Sequence, residues 1–207
     1  MVINEMDFEQ VYTEFQPRIY RYLVRLIGIK EAEDITQDVF VKIGKALATF
    51  NNQSQLSTWI YQIATNAAID RMRSRSFKQE STESYCLIEA EQCKEIGCSY
   101  KKPSLTEEKV IRKEMNECIQ GYIAILPESY RTAIILSEIE GLKNSEIASI
   151  LGLSIGTVKI RLHRGKEKLK ELLSANCTFY RTECNELACE SKGPNVIRIK
   201  PFTSMKH

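Results

Sequence analysis

Apolar residues recur every three or four positions through most of this chain, a spacing typical of amphipathic α-helices. It predicts one helix from Phe8 to Gly28, a second from about Ala32 to Phe50 and a third that begins near Ser57. Pro17 is expected to kink or restart the first helix, because proline cannot donate the backbone hydrogen bond that a helix interior needs. We therefore expect three N-terminal helices around one apolar core.

The same spacing returns from Leu105 to Leu126 and from Pro127 to Gly141. Between the two blocks of helices the chain is mixed, polar and acidic, which predicts a flexible linker. After Leu173 the helical pattern stops. These changes predict an all-α protein whose two helical domains lie at 1–76 and 107–174, with the linker at 77–106 and a Cys-containing tail at 175–207.

The segment from Gly141 to Leu169 has the pattern of a helix, a tight turn and a second helix. Gly152 suits the left-handed conformation that ends many helices, and Ser154 stands where an N-cap belongs. In the second helix, Val158 and Leu162 lie four residues apart and are expected to be buried. We predict a helix-turn-helix at this place.

The other face of the second helix is basic, since six Lys or Arg and one Glu lie between Lys159 and Lys170. This pattern is typical of a helix that enters the DNA major groove. An amphipathic hairpin with a solvated basic face is the alternative, but the Gly-x-Ser turn between apolar periods favours DNA binding. The candidate DNA-contacting residues here are Ser154, Thr157, Lys159, Ile160, Arg161, His163 and Arg164.

Composition narrows the class of protein. The 207 residues carry a net charge of only +2, so the basic charge is local and the whole chain is not a general polyanion binder. The chain has neither a secretory signal pattern nor an apolar run of membrane-spanning length, which favours the cytoplasm. It has only two histidines, His163 and His207, and no phosphate-binding glycine loop or nucleophile elbow. An enzyme is therefore the weakest class.

Four blocks carry a family resemblance. Residues 33–42 and 57–73 resemble region 2 of bacterial RNA polymerase sigma factors, and residues 126–133 and 155–164 resemble region 4. Their order and the short linker resemble the extracytoplasmic-function (ECF) group, which keeps only these two domains. A helix-turn-helix alone would also fit a freestanding transcriptional regulator. Residues 34–42 distinguish a sigma factor from such a regulator, because a repressor needs no helix that binds polymerase.

The resemblance implies a factor that binds core RNA polymerase, recognises promoter DNA and initiates transcription. An anti-sigma factor is a further candidate partner, and membrane insertion is not expected. The residues that match the family's polymerase-gripping helix are Asp34, Gln37, Asp38, Phe40 and Lys42. Those on the helix that reads melted minus-ten DNA are Thr58, Trp59, Gln62, Asn66, Asp70 and Arg73.

Two of these assignments carry a reservation from the residue type itself. Trp59 fits either the protein core or a wedge in the melted DNA, and tryptophan is more often core. Ile160 stands where the family usually has a small or polar residue. Its side chain offers no hydrogen bond to a base but can contact a thymine methyl group.

The seven cysteines form a further pattern. Two triplets have identical spacing, Cys86, Cys93 and Cys98 in the linker and Cys177, Cys184 and Cys189 in the tail, while Cys118 stands apart. Neither triplet has the Cys-x2-Cys spacing of a zinc pair, although soft thiolates suit zinc or cuprous copper. Inert thiols, a metal site and thiol oxidation all remain open. No other cofactor is expected.

Overall fold

The computed structural model describes residues 7–50, 55–74, 107–181 and 187–192. Its N-terminal half contains α1 (Phe8–Ile27), α2 (Ile29–Ala46), a short 3-10 turn (Leu47–Thr49) and α3 (Leu56–Arg73). Its C-terminal half contains α4 (Glu107–Ala124), α5 (Glu128–Ile134) with a π-helical turn (Ile135–Ile139), α6 (Asn144–Leu151), α7 (Ile155–Asn176), β1 (Cys177–Arg181) and β2 (Leu187–Ser191). The expected linker at 77–106 lies outside the described residues.

The helical fold class is confirmed, but α1 differs from the expectation in one respect. It continues without interruption through Pro17, so the helix does not restart there. Proline in a helix interior costs about 3 kcal/mol. Phe15 and Ile19 on either side of it are buried, and burying large apolar side chains contributes roughly 1.5–3 kcal/mol each. The apolar face of α1 therefore outweighs the local cost of the proline.

The three N-terminal helices pack around a core in which a polar contact joins α1 to α3. The Tyr22 hydroxyl group is hydrogen-bonded to Thr65 Oγ1 at 2.8 Å, and its ring meets Tyr61 edge to face with centroids 5.2 Å apart. Burial raises the pKa of the Tyr22 hydroxyl far above its usual value, so this group stays protonated. The hydrogen bond fixes α3 against α1.

The C-terminal half is built around α7, which α5 and α6 both contact. Val158 and Leu162 are buried on α7, as their spacing predicted. Gly165 is buried on the same side and lies against α5. A glycine is required at this close approach, because a Cβ atom there would lie 2.9 Å from Ile134 Cδ1.

The two halves are in direct contact and share one hydrophobic core. The Arg131 guanidinium is buried, and it donates to the Leu26 carbonyl oxygen at 3.1 Å and to the Leu126 carbonyl oxygen at 3.3 Å. Leu26 lies in the last turn of α1, where the helix dipole favours a cation. Arg131 therefore joins the end of α1 to the start of α5.

The tail contains an element that the sequence did not predict. α7 continues to Asn176, beyond the expected end near Leu173, and an antiparallel hairpin of β1 and β2 follows. Cys177 pairs with Ser191 and Arg181 pairs with Leu187. The threonine and aromatic residues of β1 favour a strand, and the hairpin contacts α4 and the end of α7. A small sheet is thus added to two helical domains.

Gly165 gives a test of the packing behind α7. We expect Gly165→Ala to lower the free energy of unfolding by about 1–3 kcal/mol, because the added Cβ overpacks the contact with α5. Gly156→Ala is the matched control. A Cβ there meets only Ser154 Oγ at 3.7 Å, so the higher helix propensity of alanine should leave stability equal or slightly raised. Urea unfolding measures both, and equal effects would contradict the close approach.

Candidate nucleic-acid interface

The turn between α6 and α7 has the geometry that the sequence predicted. Gly152 adopts a left-handed conformation with φ of 62°, and the Leu153 N–H donates to the Ala148 carbonyl oxygen at 3.0 Å. Ser154 caps α7, since its Oγ accepts a hydrogen bond from the Thr157 N–H at 3.1 Å. These bonds satisfy backbone groups that a helix end leaves unpaired and fix the angle between the two helices.

The start of α6 has no hydroxyl or amide side chain at the N-cap position. Lys143 occupies the N-cap position, and Asn144 is already helical. The Glu146 carboxylate accepts the Lys143 backbone N–H at 2.7 Å, which is the bond from the third helical residue back to the N-cap in a capping box. Its negative charge also favours this end of the helix.

The basic face of α7 is open to solvent. Lys159, Ile160, His163 and Arg164 are exposed, whereas Thr157 and Arg161 are half-buried. His163 Nδ1 lies 3.3 Å from a Glu167 carboxylate oxygen, an ion pair when the imidazole is protonated. Together these side chains present donors for base edges and phosphates, with Ile160 as an apolar contact among them.

Most of the α3 residues that match the family's melted-DNA helix lie along one side of the helix, which we call the α3 stripe. Thr58 is an exception. Asn66, Asp70 and Arg73 are exposed and lie three or four residues apart, with half-buried Gln62 one turn earlier. Thr58 is buried at 4% exposure, so its expected place on the DNA-facing surface is corrected. In this arrangement of the two halves its side chain is closed to solvent.

Trp59 lies at the start of the α3 stripe and is half-buried. Its ring contacts Phe50, with centroids 5.0 Å apart. The Trp59 side chain is therefore neither fully buried in the core nor fully exposed to solvent. Phe50 and Trp59 form an aromatic pair at the edge of the N-terminal half, beside residues 51–54, which lie outside the described part of the chain.

The candidate polymerase-binding face of α2 requires a second correction. Asp34, Gln37, Asp38 and Lys42 are exposed, but Phe40 is 3% exposed and its ring contacts Tyr12 on α1 with centroids 5.0 Å apart. Phe40 lies three residues before Ile43, on the buried stripe of the helix. Val41 is instead the apolar residue on the open face, at 56% exposure. Its helical spacing from Gln37 could have identified it.

The C-terminal half covers part of the α3 stripe. Gln62 Nε2 donates to the Ser149 carbonyl oxygen on α6 at 3.4 Å, and Arg73 lies 3.8 Å from Glu128 on α5. Deeper in the interface, Tyr61 Oη donates to Glu140 at 2.6 Å, and Arg25 donates to the other oxygen of that carboxylate at 3.3 Å. Sequence reasoning missed Glu140, because nothing in its local pattern marks a contact with α1 and α3.

The structure brings some of the cysteines together. Cys177 and Cys189 lie on adjacent strands, and both interact with Cys118, so Cys118 does not stand apart in space. Cys86, Cys93, Cys98 and Cys184 lie outside the described residues. Within the described ranges, no group of three or more His, Cys, Asp or Glu residues is arranged to hold a metal ion. The zinc or copper site stays a prediction.

Comparison with known proteins identifies the family. Residues 11–78 match the Sigma-70 region 2 model, and residues 116–169 match the Sigma-70 region 4 model. The chain is 36% identical over 171 residues to the ECF RNA polymerase sigma factor SigW of Bacillus subtilis, covering 80% of this chain and 88% of SigW. It is 31% identical over 166 residues to the ECF RNA polymerase sigma-E factor of Escherichia coli K12, covering 80% and 86%.

A solved structure agrees with this result. The sigma factor RpoE of Bartonella quintana, in complex with the anti-sigma factor NepR, superimposes with a TM-score of 0.61 at 26% identity. The match covers 81% of this chain and 97% of that one.

The chain belongs to the sigma-70 family. More narrowly, it is an ECF sigma factor, which binds core RNA polymerase and promoter DNA to initiate transcription. Among the described residues, no helix is both long enough and apolar enough to cross a membrane.

Glu140 gives a test of the contact between the halves. We expect Glu140→Ala to increase hydrogen exchange of α3 and α6 amides at their interface, because two hydrogen bonds across the interface are lost, each of about 1–3 kcal/mol. Glu138→Ala is the matched control, since that carboxylate is held by Lys166 and Ser137 within the C-terminal half. Equal protection in the two variants would show that Glu140 does not hold the interface.

Proposed function

We propose that this sigma factor reads the upstream promoter element with α7, contacts melted minus-ten DNA with the α3 stripe and binds polymerase with the open face of α2. The single observation that carries the proposal is that α7 has one face buried against the protein and the opposite face open to solvent. Val158, Leu162 and Gly165 face the protein, while Lys159, His163 and Arg164 face solvent. The reading face is therefore available without any rearrangement of the helix.

The recognition helix has two kinds of contact to make. Exposed Lys159 and Arg164 carry full charges for phosphates or for the acceptor edge of guanine, and arginine can bind guanine with two hydrogen bonds. Ile160, at 54% exposure, is placed to pack on a thymine methyl group. Half-buried Arg161 is better suited to a phosphate or to supporting the helix. Ser154 and Thr157 already bond to each other and fix the start of the helix.

The α2 face combines charge with one apolar residue. Asp34, Asp38 and Gln37 surround Val41, and Lys42 lies at the edge. Charged groups around an exposed apolar residue are a common composition for a protein interface, because the apolar contact adds affinity and the charges set orientation. This supports a polymerase contact made by the acidic residues and Val41, without Phe40.

Promoter binding requires the two halves to separate at least in part. Gln62 is bonded to α6 and Arg73 lies beside Glu128, so both ends of the α3 stripe are engaged by the C-terminal half. Polymerase and DNA that bind the separated form better would shift the population towards it. We propose that the contact described here is the resting arrangement of the free protein.

The remaining partner assignments rest on relatives. The Bartonella protein is held by an anti-sigma factor, and we propose that a protein of this kind also restrains the present chain. The work of the factor is binding and melting in the cytoplasm, and we propose no enzymatic step. The energy for strand opening comes from binding unstacked bases and phosphates better than the duplex.

The recognition assignment predicts a change in promoter preference. Arg164→Ala should weaken binding to the cognate promoter by about 1–3 kcal/mol, which is roughly five-fold to 150-fold, and should relax preference at one base pair. Transcription from that promoter should fall accordingly. Lys170→Ala is the control, an exposed cation farther along α7, and it should leave base preference unchanged. Run-off transcription over a library of upstream elements measures both. An unchanged preference in Arg164→Ala would show that this residue does not read a base.

The polymerase assignment predicts a separable defect. Asp38→Arg should abolish binding to core RNA polymerase while helical content by circular dichroism stays unchanged, because the reversed charge is repelled where the original was attracted. Asp70→Arg makes the same charge change on the α3 stripe and should retain polymerase binding. Loss of polymerase binding in both variants, or in neither, would contradict the assignment of separate surfaces.

A further inference from the structure

Three thiols from three elements meet at the end of the C-terminal half. Cys118 lies on α4, Cys177 begins β1 directly after α7, and Cys189 lies on β2. The Cys177 thiol is buried at 4% exposure and is in hydrogen-bonding contact with both other thiols. It also lies 3.9 Å from the hydroxyl oxygen of Tyr122, one turn along α4 from Cys118. Cys177 is therefore the centre of the cluster.

Among the described residues, no cation contributes to the pKa values of Cys118, Tyr122 and Cys189. Burial and the neighbouring Cys177 and Cys189 raise the pKa of Cys118 to about 11. Burial and the same thiols raise the pKa of Tyr122 to about 12. Burial also raises the pKa of Cys189. At neutral pH roughly one Cys118 in ten thousand is ionised, so this thiol is a slow nucleophile.

The sheet register decides which two thiols can be joined. Cys177 pairs with Ser191, and Cys189 pairs with Phe179, so the two cysteines are diagonal neighbours on the hairpin. Diagonal positions are about 7–8 Å apart, whereas a disulfide needs Cα atoms roughly 4.4–6.8 Å apart. The hairpin pair is thus poorly placed for a bond, while Cys118 approaches from a different element and is free of this restriction.

We propose that Cys118 and Cys177 form a disulfide under oxidation by a hydroperoxide, and that this bond braces the DNA-binding half. One thiol loses its proton, and its sulfur attacks the hydroperoxide, breaking the O–O bond to give a sulfenic acid and releasing the alcohol or water. The second thiol attacks that sulfur, and water leaves. Two thiols supply the two electrons that reduce the hydroperoxide.

The bond would close a loop that contains α5, α6 and α7. A disulfide across a long loop stabilises a protein mainly by restricting its unfolded chain, typically by a few kcal/mol. The reading residues of α7 lie at the other end of that helix, about 20 Å or more from Cys177 at 1.5 Å per residue. Oxidation would therefore stiffen the domain without covering Lys159 or Arg164. This inference does not depend on which bases α7 reads.

The test uses the full chain with Cys86, Cys93, Cys98 and Cys184 replaced by serine, so that only the cluster remains. After treatment with hydrogen peroxide, peptide mapping by mass spectrometry should find Cys118 linked to Cys177. The thermal midpoint should rise by roughly 5–10 °C and return on reduction. The rate should increase with pH between neutral pH and about pH 9, because the thiolate and not the thiol attacks the hydroperoxide.

Two further variants complete the design. Cys118→Ser should lose both the crosslink and the thermal shift, whereas Cys189→Ser should keep both. Should Cys118→Ser fail to fold by circular dichroism, Cys118→Ala replaces it. A Cys177–Cys189 bond, three thiols still free after prolonged oxidation at about pH 9, or a tightly bound metal ion that protects the reduced cluster would each overturn the proposal.

Discussion

A buried cation positions the two halves of this protein. The Arg131 guanidinium is almost entirely buried, and a charge in that position is costly unless it is hydrogen-bonded. It donates to the Leu26 carbonyl oxygen at the end of α1, and this hydrogen bond exists only while the halves are together. Its second hydrogen bond, to the Leu126 carbonyl oxygen, lies within the C-terminal half. The contacts of Glu140 with Tyr61 and Arg25 then complete a shared interior. These contacts together fix how the two halves lie against each other.

Much of the local structure could be predicted from the sequence, because it depends on neighbours along the chain. The turn at Gly152, the cap at Ser154 and the buried positions of α7 all follow from helical spacing and backbone preference. Phe40 and Thr58 were misplaced for a different reason. Phe40 lies on the buried stripe of α2 and packs against Tyr12, and Thr58 is closed off by the packing around the start of α3.

The features that could not be predicted depend on contacts between distant segments. Glutamate is usually solvent-exposed, and nothing near Glu140 in the sequence indicates that the fold brings donors from α1 and α3 to its carboxylate. Cys118 is isolated in sequence and joins Cys177 only because a hairpin returns to α4. Proline at position 17 shows the opposite effect, since a strong local signal was overridden by the burial of its neighbours. Tertiary context is decisive in each of these cases.

The contrast between the buried and the exposed face of α7 also bears on how such factors can diversify in evolution. Gly165 and Val158 restrict one side of the helix to a narrow set of residues, since even one added carbon atom meets α5. Ile160, His163 and Arg164 meet no such restriction, because their side chains extend into solvent. Substitutions on that side can accumulate at little cost in stability. Duplicated copies of such a gene could therefore acquire new regulons while keeping the same scaffold, and the same freedom is open to engineering of orthogonal promoter pairs.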